Sequence, residues 1–153
     1  QESDVGAYGH TSSELYVLVS IHRFENLYSR KRFQFILNTV DEVSKRINVI
    51  FVMHAPTEKK LESKGRWGDG EKGRSDSPIR YILLQDYPTF LHLIGDAEFV
   101  ITDGGSVQEE CFYLGKPCLI MRKRTERVDG VGRNAMLGSF DKNCFFKQIN
   151  YFF

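Results

Sequence analysis

Gly104-Gly105-Ser106 follows the run Glu98 to Ile101, which reads as a buried strand, and precedes Val107 to Leu114, which reads as a helix. Two glycines let a backbone approach a ligand closely and adopt φ > 0 at little cost. The helix behind them points free N–H groups and the positive end of its dipole at the gap. The chemistry that suits such a gap is anion binding, most simply of a phosphate. Glu109 and Glu110 lie just inside the helix. A carboxylate there can accept two hydrogen bonds at once, as from the hydroxyl pair of a ribose. The same residues also fit an ordinary glycine turn with a solvated acidic first turn, which suits the dipole as well. The turn is neither a Walker loop nor GxGxxG.

Three other polar clusters follow apolar runs. His22-Arg23-Phe24-Glu25-Asn26 ends Leu15 to Ile21, His54-Ala55-Pro56 ends Asn48 to Met53, and Gln85 to Phe90 ends Ile79 to Leu84. Near-continuous apolar runs of this length mark strands covered on both faces. Between them, Arg30 to Ile47 carries Phe33, Ile36, Leu37, Val40 and Val43 at helical spacing, Thr57 to Lys64 is a short charged helix, and a helix runs on to about Gly95. Pro117 to Met121 is a fifth strand, and Phe140 to Phe153 is a final amphipathic helix with its end exposed or cut short. The resulting βαβαβαβαβ order predicts the α/β class, a doubly wound parallel sheet with right-handed crossovers. All four polar clusters then gather along one sheet edge, where ligands of such folds bind.

Each cluster has a plain structural alternative. His22 and His54 could cap strand-end carbonyls, and Phe90, spaced with Leu91 and Ile94, could be core. His10 and His92 read as structural or solvated. Arg122, Lys123 and Arg124 read as part of a solvated basic loop running to Arg133. Gly65 to Pro78 reads as a surface loop whose Trp67 packs on the domain or lies idle.

A chain of 153 residues suits one domain with a sizeable core. Hydrophobic residues make up 41% and charged residues 27%, and the formal net charge is +1, so nothing global argues for nucleic acid or an anionic membrane as partner. No run approaches a membrane span and the start is polar, so a cytoplasmic protein is expected. Cys111, Cys118 and Cys144 are odd in number and form no CxxC, which favours buried reduced thiols over a metal site. Residues 1–14 read as a linker or the edge of the chain, and residues 15–153 as the domain.

Taken together, HRxEN at His22 to Asn26, TDxG at Thr102 to Gly105, QEE at Gln108 to Glu110, LGKP at Leu114 to Pro117 and RxxTER at Arg122 to Arg127 resemble the non-hydrolysing UDP-N-acetylglucosamine 2-epimerases. Each motif is weak alone, while their order and spacing are specific, and the match runs from about Leu15 to Gly138. The resemblance implies the C-terminal, Rossmann-like, nucleotide-binding half of a glycosyltransferase B fold. It implies interconversion of UDP-N-acetylglucosamine and UDP-N-acetylmannosamine by elimination and re-addition of UDP, without metal or other cofactor. Catalytic carboxylates and basic residues of an N-terminal domain have no counterpart here, so the chain by itself is expected to be inactive. That domain and UDP or UDP-N-acetylglucosamine are the implied partners, with a homodimer possible.

The resemblance also assigns roles. Glu110 would bind the ribose hydroxyls, and Gly104, Gly105 and Ser106 the diphosphate. The family more often has Ser-Gly-Gly in this turn, so a hydroxyl expected at position 104 is missing. Arg127 would face the diphosphate or sugar. Phe90 would lie against the uracil, with Gln85 near its edge. His22 would act beside the leaving diphosphate as donor or proton carrier. Arg23 and His54 match a regulatory site for a second UDP-N-acetylglucosamine. Two other readings compete: a non-catalytic nucleotide-sugar-binding or regulatory module, and the C-terminal domain of a glycosyltransferase.

Overall fold

The structure is a computed structural model that describes residues 14–68, 77–125 and 129–153. Six strands form one sheet: β1 (Tyr16–Ser20), β2 (Asn48–Met53), β3 (Ile79–Leu83), β4 (Val100–Thr102), β5 (Cys118–Ile120) and β6 (Ala135–Leu137). Their spatial order is β3-β2-β1-β4-β5-β6, and every neighbouring pair is parallel. The helices are α1 (Phe24–Leu27), α2 (Arg30–Ser44), α3 (Ala55–Ser63), α4 (Tyr87–Asp96), α5 (Gly105–Tyr113) and α6 (Lys142–Phe152). The expected α/β doubly wound sheet is therefore present.

β1 is buried at all five positions because helices cover both sheet faces. Val17 and Val19 point into one core layer, with Phe33, Ile36 and Leu37 of α2 and Phe145 and Ile149 of α6. Tyr16 and Leu18 point into the other, with Leu93 and Ile94 of α4 and Val107 and Cys111 of α5. The alternation is the pleat's two-residue period. Tyr16 satisfies its hydroxyl deep in the second layer by donating to the Leu93 carbonyl at 2.7 Å. Trp67 packs on the domain and donates its indole N–H to Glu58 at 3.0 Å.

Several expectations need correction. A sixth strand, β6, pairs with β5 through Cys118 to Ala135, Leu119 to Met136 and Ile120 to Leu137. Three residues are too short for a periodicity signal, and the pairing alone makes them a strand. The one-turn helix α1, which Phe24 to Asn26 enter, is a further element that the βαβαβαβαβ order did not include. Cys111 and Cys118 are buried thiols as expected, but Cys144 is exposed at the start of α6. Arg122 is not a solvated loop residue: its side chain is only 16% exposed, with Nε 3.7 Å from Glu25 Oε1. The expected linker 1–14 lies, except for Glu14, outside the described residues, as do His10 and Arg127.

Candidate functional site

Strand order reverses between β1 and β4, because β1 has β2 on one side and β4 on the other. The loops leaving two such strands turn to opposite faces and open a crevice at their carboxyl ends. Here the two loops begin with Ile21-His22-Arg23 and Asp103-Gly104-Gly105. The glycine turn at Gly104 and the strand-end His22 thus meet at the position where the topology makes a cleft.

Asp103 ties the two loops together. Its carboxylate is fully buried, with 0% exposure, and accepts from the His22 N–H at 3.0 Å, the Arg23 N–H at 2.9 Å and Asn26 Nδ2 at 2.9 Å. The second Asn26 amide proton goes to the Met121 carbonyl at 2.9 Å, just past β5. The ends of β1, β4 and β5 are therefore locked into one block. A buried carboxylate is tolerable here because converging donors replace its water. Thr102 adds a further tie, donating to the Ser20 carbonyl at 2.8 Å and accepting from the Gly104 N–H at 3.1 Å.

On this block the His22 imidazole lies half-buried, stacked on His54 with ring centroids 4.3 Å apart. His54 is delivered by the end of β2 and is the N-cap of α3. Burial holds the His54 pKa below its ordinary value, and His22 beside it adds to the effect, while Asp103 opposes it. Gly104 faces the same ring. A Cβ at position 104 would stand 2.7 Å from His22 Cε1 and 3.5 Å from Nε2. The missing side chain is what lets the imidazole lie against the turn. Arg23 points the other way, donating from Nε to Glu25 at 2.7 Å. That bond is the main reason the Glu25 carboxyl is held below its usual range.

α5 leaves this crevice with Gly104 as N-cap and no side-chain cap. By contrast, Ser29, Asp86 and Asp141 cap α2, α4 and α6 with their own oxygens. Ser106 is exposed in the first turn of α5, and Gly105 is half-buried. One turn further, Glu110 accepts a 2.6 Å hydrogen bond from the Tyr87 hydroxyl at the start of α4. That bond is the main reason the Tyr87 phenol titrates above its usual range. Phe90 is half-buried against the second core layer, and Gln85 Nε2 donates to the Leu83 carbonyl at 2.7 Å. Gln85, Tyr87, Phe90 and Glu110 thus belong to one neighbouring pair of helix starts, α4 and α5.

The sequence reading assigned no role to Asp103, Asn26 or Gln108. Gln108 is fully buried; its Nε2 donates to the Asp129 carbonyl at 3.0 Å and its Oε1 accepts from Thr125 at 3.1 Å. It fastens Thr125 and Asp129 to α5. The available signal was their place inside the recurring motifs, but a sequence does not show that a polar residue is buried. Among the described residues there is no group of three or more His, Cys, Asp or Glu side chains that could hold a metal ion. No helix among them is long and apolar enough to cross a membrane.

Known proteins share this architecture. An E. coli heptosyltransferase superposes with a TM-score of 0.63 over 93% of this chain and 44% of its own, at 12% identity, which is a likeness of fold alone. The Methanocaldococcus jannaschii UDP-N-acetylglucosamine 2-epimerase, solved in complex with UDP-N-acetylglucosamine and UDP, superposes with a TM-score of 0.84 at 30% identity, covering 99% of this chain and 42% of that one. In sequence, the UDP-N-acetylglucosamine 2-epimerase of Methanococcus maripaludis is 34% identical over 87% of this chain. The UDP-2,3-diacetamido-2,3-dideoxy-D-glucuronate 2-epimerase of Pseudomonas aeruginosa is 30% identical over 86% of it. This chain spans 37% and 35% of those two relatives' lengths. The family profile described as UDP-N-acetylglucosamine 2-epimerase matches residues 2–143, nearly the whole chain, and the chain belongs to that family.

Proposed function

We propose that this chain is the C-terminal, UDP-binding part of a non-hydrolysing UDP-sugar 2-epimerase, acting on UDP-N-acetylglucosamine and UDP-N-acetylmannosamine. The observation that carries the reading is the uncapped start of α5 at the strand-order reversal, with the His22 imidazole against Gly104 and Glu110 one turn on. An anion gains there from backbone N–H groups and the helix dipole together. Gly104, Gly105 and Ser106 would hold the diphosphate and Glu110 the ribose diol, with Gln85 and Phe90 at the uracil. Arg127 remains a candidate for the diphosphate or sugar. The relatives differ in the sugar that their names carry but share UDP. That pattern fits a domain that reads the nucleotide.

In the reaction, the proton on C2 is removed and the C1–O bond to UDP breaks, leaving a glycal and UDP. UDP oxygen then re-forms the bond to C1 while a proton reaches C2 from the other face. UDP is leaving group and returning nucleophile, so holding it in place converts re-addition into an effectively intramolecular step. His22, beside the turn, would donate to or exchange a proton with the departing diphosphate. The carboxylates for C2 would come from an N-terminal domain in the remaining length of the protein, so this chain alone should not epimerise. A cytoplasmic enzyme, a homodimer, and a second nucleotide-sugar site using Arg23 and His54 complete the reading.

Calorimetric titration of UDP into this chain and into Glu110→Ala tests it. Saturable binding, weakened in the variant by about 1–3 kcal/mol as for loss of a charged hydrogen-bond partner, is expected. No binding to the folded chain would count against the assignment.

A further inference from the structure

We propose that Asp103 is a positioning residue that fixes the tautomer of His22, holding its proton on Nδ1 and presenting a bare Nε2 beside the Gly104 turn. The inference deepens the proposed function, since it concerns the ring which that reading places at the diphosphate.

The geometry is specific. His22 Nδ1 is buried and makes no hydrogen bond, yet it lies 3.4 Å from Asp103 Oδ1. That oxygen cannot turn away. It also accepts the His22 backbone N–H at 3.0 Å, while Oδ2 is held by the Arg23 N–H and Asn26 Nδ2, both at 2.9 Å. Every one of these partners is a donor, so Asp103 acts as an acceptor throughout.

Two neutral forms of His22 are then unequal. With the proton on Nε2, the Nδ1 lone pair would face a carboxylate oxygen in a dry pocket, repelled and unsolvated. With the proton on Nδ1, the same contact becomes an N–H aimed at a negative oxygen. A small ring rotation would close it into a hydrogen bond. The tautomer of a histidine is set by the partner of one ring nitrogen, and here, among the described residues, the anionic partner is on the Nδ1 side. The other groups packed on the ring do not reverse the choice. His54 is stacked on its face at 4.3 Å, and Gly104 contributes only backbone. Arg23 is turned to Glu25.

The consequence is chemical. Nε2, 3.5 Å from the Cβ position of Gly104, is left as the acceptor at the crevice. It can take a proton and then, as imidazolium, donate it to an anion on the α5 side. The opposite tautomer would offer a donor that cannot first receive a proton.

Nitrogen-15 NMR of the histidine rings in the 153-residue chain, without ligand and above the titration of the imidazole, reads the tautomer directly. The expected result is protonated Nδ1 and unprotonated Nε2 for His22, with that preference lost in Asp103→Asn. An Nε2–H tautomer in the parent chain would overturn the proposal, as would an unchanged Nδ1–H tautomer in folded Asp103→Asn. Should that variant not fold, the parent spectrum alone decides between the two tautomers. Because no ligand is present, failure of UDP to bind would remove the functional reading and leave this result standing.

Discussion

Tyr87 and Glu110 are joined by a 2.6 Å hydrogen bond that links the first turn of α4 to α5. The bond is exposed, so its worth is not in stability. It fixes the direction of a carboxylate. On the proposed role, Glu110 keeps its second oxygen and further lone pairs for a ribose diol, so Tyr87 would orient the group without blocking it. Tyr87→Phe should weaken UDP binding by about 0.5–1.5 kcal/mol, the net worth of one such hydrogen bond. In a Glu110→Ala background the same change should have no effect. Calorimetry on the four proteins of this cycle gives the coupling; additive losses would mean that Tyr87 acts elsewhere.

Asn26 uses both amide protons, one on Asp103 and one on the Met121 carbonyl, and is fully buried. Asn26→Ala takes one donor from each of two buried acceptors, the Met121 carbonyl and the Asp103 carboxylate, which keeps the His22 and Arg23 N–H groups. We expect a loss of about 2–4 kcal/mol, read from urea unfolding. Lys59→Ala on the exposed side of α3 should stay within about 0.5 kcal/mol of the parent chain.

Gly104→Ser does more than supply a hydroxyl to the turn. Its Cβ would meet His22 Cε1 at 2.7 Å, so the ring, stacked on His54, must shift to make room. Overpacking of this kind costs about 1–3 kcal/mol. Thermal unfolding should show that loss, and it should shrink when His22→Ala removes the ring. An equal loss in both backgrounds would place the strain somewhere other than His22.

Acid should loosen the same corner. The folded-state pKa of His54 lies below its ordinary 6.5, chiefly through burial. The unfolded chain therefore binds the proton more tightly than the folded one. Its contribution to stability is present in full above pH 6.5 and is lost as pH falls from there through the depressed folded value. Unfolding free energies measured across that window should fall with acid, and His54→Gln should flatten the slope. An unchanged slope in the variant would assign the acid sensitivity to another group.

Much of the architecture was legible along the chain. The runs LYVLVS and NVIFVM are apolar at nearly every position, and such runs are sustained only by strands covered on both faces. Phe33, Ile36, Leu37, Val40 and Val43 recur at helical spacing and are all buried in α2. β6 escaped notice because three residues carry no period, and its existence depends on the free edge of β5. The exposed position of Cys144 depends on which face α6 turns to the sheet, which three cysteines in a row of letters do not specify.

Within the crevice, residue types and their order were enough to single out the glycine turn and the strand-end histidines, while Glu109 and Glu110, expected just inside the helix, lie past its first turn. Those features are local: a turn needs glycine, and a helix start favours an anion whatever surrounds it. Only the tertiary structure decided that Asp103 is the buried hub, that His22 stacks on His54, and that Tyr87 holds Glu110. Each is a contact between residues at least 23 positions apart, made at the ends of strands that pair in the sheet, β1 with β4 and β1 with β2, or by helices packed on that sheet. Burial and orientation at that distance come from the packing of the whole chain, and no short motif encodes them.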